Sequence, residues 1–134
     1  MKRTKEDLIK YRTQRAYESL EEAKILAQTN HWNTVVNRLY YAAFYIVNAL
    51  FSKHDILTAT HSGVKTEFHR SFIKTKKFNK SVGKLYSELF DKRQEGDYQD
   101  FYLFEKEEIE PLIELTDNLV ETIEKYINNY LSPT

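Results

Sequence analysis

An arginine, two acids and a phenol fall within six residues at Arg93-Gln-Glu-Gly-Asp-Tyr98, a combination able to hold a phosphate. A guanidinium can grip an oxyanion through two parallel N–H bonds and stabilise the charge of a five-coordinate phosphorus as it forms. The same residues also suit a structural role, with Arg93 paired to Asp97 or Glu95 to pin a loop and Arg38 sharing the network. Spacing alone leaves these two readings level.

A second candidate lies upstream. Between Lys65 and Lys84 stand seven Lys and Arg residues and one acid, Glu67, a local net charge of +6. Interleaved with Phe68, Phe72 and Phe78, they could track a phosphate backbone or dock a nucleotide. A solvated helix face followed by a loop explains the same residues, with Phe68 and Phe72 then belonging to the core. Between Glu105 and Lys125 eight acids meet two bases, a net charge of −6. The whole chain balances 20 basic against 20 acidic side chains, so its neutrality hides a charge dipole along the sequence.

Other chemistries find no support. His31, His54, His61 and His69 contain no pair at the i, i+4 spacing that, with a carboxylate, makes a helical zinc site, so neither metal nor cofactor is expected. The absence of Cys excludes thiol nucleophiles and Cys-ligated zinc and fits a reducing compartment. No glycine-rich phosphate loop, dinucleotide fingerprint or hydrolase elbow occurs.

The elements that must position these residues follow from composition and periodicity. A chain of 134 residues with 3 Gly and 2 Pro has too few breakers for an all-β sandwich, so a single all-α domain is expected. Thr4 to Asp7 reads as a capping box opening a helix from about Lys5 to Gln28, with Ile9, Ala16, Leu20, Ala23 and Ala27 on one stripe. Asn30 or Asn33 is the expected cap of a second helix, Trp32 to Lys53. That helix is apolar nearly all round and therefore buried, and Asn37, Arg38 and Asn48 stand out in it because buried polar groups need partners. Thr58 or Thr60 should cap a short helix carrying Val64, Phe68 and Phe72, and Lys74 to Lys80 reads as a solvated loop. Ser81 should cap a fourth helix that continues to Arg93, with Gly96 as its left-handed terminator. Asp97 to Phe104 reads as an aromatic loop folded back on the core. The last helix carries Ile109, Leu112, Ile113, Leu119, Val120, Ile123 and Ile127 on one stripe, Pro111 limits its start, and residues 131–134 should fray. The N-terminus lacks an apolar run after its basic residues, and the longest apolar stretch is shorter than the roughly 20 residues that span a bilayer. A soluble cytoplasmic protein without a membrane segment is the expectation.

Three motifs in order carry a family resemblance: Asn37-Arg-Leu-Tyr-Tyr-Ala-Ala-Phe44, Thr60-His-Ser-Gly-Val-Lys65 and Leu89-Phe-Asp-Lys-Arg-Gln-Glu-Gly-Asp-Tyr98. Over about residues 5–128 the chain resembles the HEPN superfamily. The resemblance implies an up-and-down four-helix bundle with one short additional helix, commonly a homodimer that brings its motif loops together across a cleft. It also implies a partner, since such proteins often stand beside a minimal nucleotidyltransferase in toxin–antitoxin pairs. Others in the family are nucleotide- or RNA-binding modules, and the active toxins are metal-independent endoribonucleases.

Their motif is an Arg followed, after four to six residues, by a His. Arg93 matches the Arg, but Tyr98, Gln99 and Asp100 occupy the positions open to the His. A phenol, ordinarily titrating near 10, is a poor general base at pH 7. The resemblance therefore favours a binding module over a nuclease, with Arg93, Asp97, Tyr98, Arg38, Asn37, His61 and Lys65 as binding candidates. Arg93 and Tyr98 are the catalytic candidates if activity remains, and Tyr98 also lies near where some relatives accept an adenylate from their partner.

Overall fold

The computed structural model describes residues 4–130, which contain helices and no strand. Four long helices, α1 (Lys5–Ala27), α2 (Trp32–Lys53), α4 (Lys80–Tyr98) and α5 (Lys106–Asn129), form an up-and-down bundle. A short helix, α3 (His61–Phe68), runs directly into one π-helical turn, His69–Ile73. The end expected to fray, residues 131–134, lies outside the described residues.

Helix α2 is the centre, with α1, α4 and α5 all packed on it. Twelve of its 22 residues are buried, Ala42 and Ala43 completely, as an apolar surface on every side requires. The expected stripe of α1 buries Ala16, Leu20 and Ala23, while α5 buries Ile109, Leu112, Leu119, Val120, Ile123 and Ile127. Thr116 joins that buried face by returning its hydroxyl to the Leu112 carbonyl at 2.7 Å.

The caps divide into expected and unexpected. Thr4 and Asp7 form the capping box of α1, with the Asp7 N–H donating to Thr4 Oγ1 at 3.0 Å. Thr60 caps α3 by accepting from the Gly63 N–H at 2.9 Å. Neither Asn30 nor Asn33 caps α2, whose preceding residue is His31. Asn30 takes a left-handed φ of 60°, and both ends of the Asn33 amide are committed elsewhere. Its Nδ2 donates to the Tyr102 carbonyl at 2.7 Å and its Oδ1 accepts from the Phe104 N–H at 2.9 Å. Asn79, rather than Ser81, caps α4, accepting from the Ser81 N–H at 2.9 Å.

Helix α4 does not end at Arg93 but continues through Tyr98, and Gly96 is helical. Close packing is what Gly96 serves: a Cβ there would stand 3.0 Å from Cε2 of the Phe104 ring. The left-handed residue of this connection is Phe101, at φ 63°. Of the loop expected to fold inward, Phe104 is buried and Tyr102 packs on the core, whereas Phe101 and Leu103 are exposed. Pro111 sits in the second turn of α5, not the first. It is exposed, and the only backbone bond it forgoes is the one Glu107 would have accepted.

Candidate functional site

Extending α4 by a turn places Arg93, Asp97 and Tyr98 on one rigid element, with Arg93 and Asp97 a helical turn apart. Arg93 is only 6 % exposed. Its guanidinium lies over the Tyr40 ring at 4.7 Å, with the Tyr41 and Tyr98 rings each at 5.8 Å. Such cation–π contacts lower the cost of burying the charge without using an N–H group. The ion pair to Asp97 spans 3.6 Å, too long for a hydrogen bond, and the buried Nε has no hydrogen-bond partner.

Asp97 is held instead by α2. Asn37 Nδ2 donates to its carboxylate at 3.1 Å, and Asn37 Oδ1 accepts from Arg38 Nε and Nη2 at 3.1 and 2.9 Å. Arg38 also pairs with Glu22 of α1 at 3.1 Å and lies over the Tyr41 ring at 5.1 Å. The expected Arg93–Asp97 pair and the sharing with Arg38 are both present, with Asn37 as the go-between.

His61, the first residue of α3, reaches the same place from the other side. Its Nδ1 meets the Tyr40 hydroxyl at 2.7 Å, and its ring stacks on Phe44 at 4.5 Å between centroids. Burial, and then the nearby positive charge of Arg93, hold the imidazole below its ordinary range, so it is neutral at pH 7. Burial pushes the Tyr40 phenol up to about 12. Tyr40 keeps its proton, and the direction of its hydrogen bond to Nδ1 follows the imidazole tautomer: where Nδ1 accepts from the phenol, Nε2 carries the N–H.

Lys65, one turn further along α3, contacts the Phe90 ring at 4.6 Å and Asp91 at 3.8 Å. The remaining basic residues lie apart. Lys84 precedes Arg93 by nine residues, about 14 Å along the helix axis. Of the others, Arg70 and Lys74 border an open groove of about 430 Å³ together with Lys65, Thr66, His69 and Ser87. The two sequence candidates are distinct features that approach each other along α4, where Lys65 pairs with Asp91 and where Lys80 and Lys84 share a groove with Glu95. Among the described residues no three His, Asp or Glu side chains gather as a metal ion would need.

Glu22 carries no signal in the sequence, and Tyr40 and Tyr41 enter it only within the motif Asn37–Phe44 and the all-round apolar surface of α2; Tyr40 is fully buried and Tyr41 partly so. Their adjacency to Arg38 in sequence was the available signal.

The HEPN domain family matches residues 9–126. A "UPF0332 protein" of Thermotoga maritima is 40% identical over 125 residues, covering 93% of this chain and 95% of that one. A protein of Methanocaldococcus jannaschii named "Putative toxin" is 32% identical over 114 residues, 85% of this chain and 78% of its own. A second so named from the same organism is 28% identical over 116 residues, 87% of this chain and 86% of its own. With the family's match spanning nearly all of the bundle and the site on α2, α3 and α4 lying within it, the chain belongs to the HEPN domain family.

Proposed function

We propose that the protein is a cytoplasmic nucleotide- or RNA-binding module of a toxin–antitoxin-type pair, working as a homodimer with a nucleotidyltransferase-like partner. The observation that carries this reading is Arg93, a cation 6 % exposed whose Nε makes no hydrogen bond and whose carboxylate stands 3.6 Å away. A buried guanidinium costs free energy unless its donors are satisfied, and a phosphate would satisfy them bidentately. The two relatives named as toxins support the setting. No helix of the described residues is long and apolar enough to cross a membrane.

Titrating labelled RNA and ATP at two salt concentrations tests the reading. Affinity should fall as salt rises, because phosphate contacts release counterions, and Arg93→Gln should abolish it. Absence of binding at low salt overturns the proposal. Sedimentation showing only a 16 kDa species would remove the homodimer, and failure to copurify with the product of an adjacent nucleotidyltransferase gene would remove the partner.

One observation favours a second reading, an active metal-independent endoribonuclease. The motif's His is missing at Tyr98, yet His61 brings an imidazole against the same tyrosines as Arg93. Cleavage of RNA in the presence of EDTA, lost in Arg93→Ala, would establish that reading in place of the first.

A further inference from the structure

Arg93, Arg38 and His61 come from three segments of the chain and converge on two neighbouring rings. The Tyr41 centroid lies 5.1 Å from the Arg38 guanidinium, 5.8 Å from that of Arg93 and 5.9 Å from the His61 ring. The Tyr40 centroid lies 4.7 Å from Arg93 and 5.7 Å from His61. Taking the proposed phosphate-binding function as its basis, we propose that these three side chains form one oxyanion pocket around Tyr40 and Tyr41, and that Asp97 occupies it as an internal anion which a phosphate displaces.

The donors are oriented but not exhausted. Arg93 keeps a buried Nε without a partner, and in the tautomer the pocket uses, with Tyr40 donating to Nδ1, the opposite nitrogen of His61 is a donor. Arg38 spends two N–H groups on the single Asn37 Oδ1 and a third on Glu22, so its plane is already fixed by α1 and α2. A phosphate offers more acceptor oxygens than the two of a carboxylate and so can take N–H groups from several side chains at once.

Asp97 is placed to leave. It is exposed, it stands in the last turn of α4, and it is held by one hydrogen bond from Asn37 and the 3.6 Å ion pair. The backbone beyond is held, by the Gln99 N–H on the Glu95 carbonyl and by Asn33 on Tyr102 and Phe104, so release is a rotation of the Asp97 side chain alone. Rotating the Asp97 side chain toward water would open Arg93 and free Asn37 Nδ2 as a further donor. The phosphate could be the terminal group of a nucleotide or a diester of an RNA backbone.

Calorimetric titration distinguishes these cases, using ATP, inorganic phosphate and an RNA oligonucleotide with hydroxyl ends, against the wild type and Asp97→Asn, Asp97→Ser, Arg38→Gln and His61→Asn. Asp97→Asn and Asp97→Ser, which both remove the competing charge and leave Asn37 in place, should each tighten binding about tenfold. Arg38→Gln and His61→Asn should each weaken it about tenfold, the scale of one charge-assisted hydrogen bond. A terminal-phosphate site responds to ATP and inorganic phosphate, and a backbone site responds to the RNA. Thermal melts confirm that each variant is folded, and Asp97→Ser serves if Asp97→Asn is not. Folded variants in which neither release substitution tightens binding, or in which Arg38→Gln and His61→Asn leave it unchanged, overturn the pocket while leaving Arg93 a ligand. Binding by neither the wild type nor Asp97→Asn to any of the three probes overturns the phosphate-binding function itself.

Discussion

Arg93 owes its conformation to residues that sequence spacing names only in part. Its pairing with Asp97 was legible because an i, i+4 separation on a helix allows it, and Arg38 was legible as a charge within an apolar helix. His61 entered the site only through the family resemblance carried by Thr60–Lys65, because its approach depends on how α3 packs across α2, which no local pattern encodes. Gly96 shows the converse difficulty. Its position near an expected helix end suggested a left-handed turn, whereas the Phe104 ring requires its missing Cβ. Gly96→Ala therefore sets two effects against each other. Helix propensity favours Ala by up to about 1 kcal/mol, while overpacking a fixed ring costs about 1–3 kcal/mol. Phe104 is 4 % exposed and its N–H is tied to Asn33, so the ring has little room to yield. The variant should lose about 1 kcal/mol, a fall in Tm on the order of 4 °C by calorimetry, and a rise in Tm would refute the packing role.

Among the elements, α2 was read with its observed bounds because its apolar residues leave no ambiguity about burial. The ends of α4 and the π turn were not, since each depends on a contact made elsewhere. The π turn closes through the Lys74 N–H and the His69 carbonyl at 2.8 Å. Around it, His69 sets Nδ1 at 2.9 Å from the Lys65 carbonyl and Nε2 at 3.1 Å from the Gly83 carbonyl and 3.2 Å from the Ser87 hydroxyl, a contact across helices that a one-dimensional period cannot show. At the other end of α2, His54 lies against Phe72, Tyr126 and Tyr130, joining α2, the π turn and the end of α5. Its Nε2 is buried without a partner. Burial, then Lys5 and Lys77, lower its proton affinity below the ordinary 6.5, with Asp55 opposing and Lys53 adding to the decrease. The folded chain then binds fewer protons than the unfolded chain, so the stabilisation from neutral His54 is complete above about pH 6.5 and lost as pH falls below it. His61 acts in the same direction. Melting temperatures should decline from pH 7 to pH 5, and His54→Phe should flatten the decline. An unchanged slope in that variant would exclude His54 as a contributor.

At the scale of the molecule, the sequence revealed two blocks of opposite charge and not their relation. No acid of α5 pairs with a base of residues 65–84. Asp117 pairs with Lys24, Glu108 with Lys92 and Glu124 with the Tyr17 hydroxyl, all on α1 or α4. Lys74, Lys76, Lys77, Lys80 and Lys84 make no ion pair with any described residue, so their field reaches into solvent. Further along the chain stands the connection between the end of α4 and α5, where Tyr98, Phe101 and Leu103 are 73%, 101% and 78% exposed. In a bundle whose helices resist proteases, that loop offers one aromatic residue outside regular structure with its side chain wholly in water. Brief digestion with chymotrypsin should cut after Phe101 first, leaving α5 attached through its packing on α2, and mass spectrometry would identify the scissile bond. A second copy or a partner seated on this face would slow the cut at that bond alone, so a single peptide linkage can serve as a footprint of assembly.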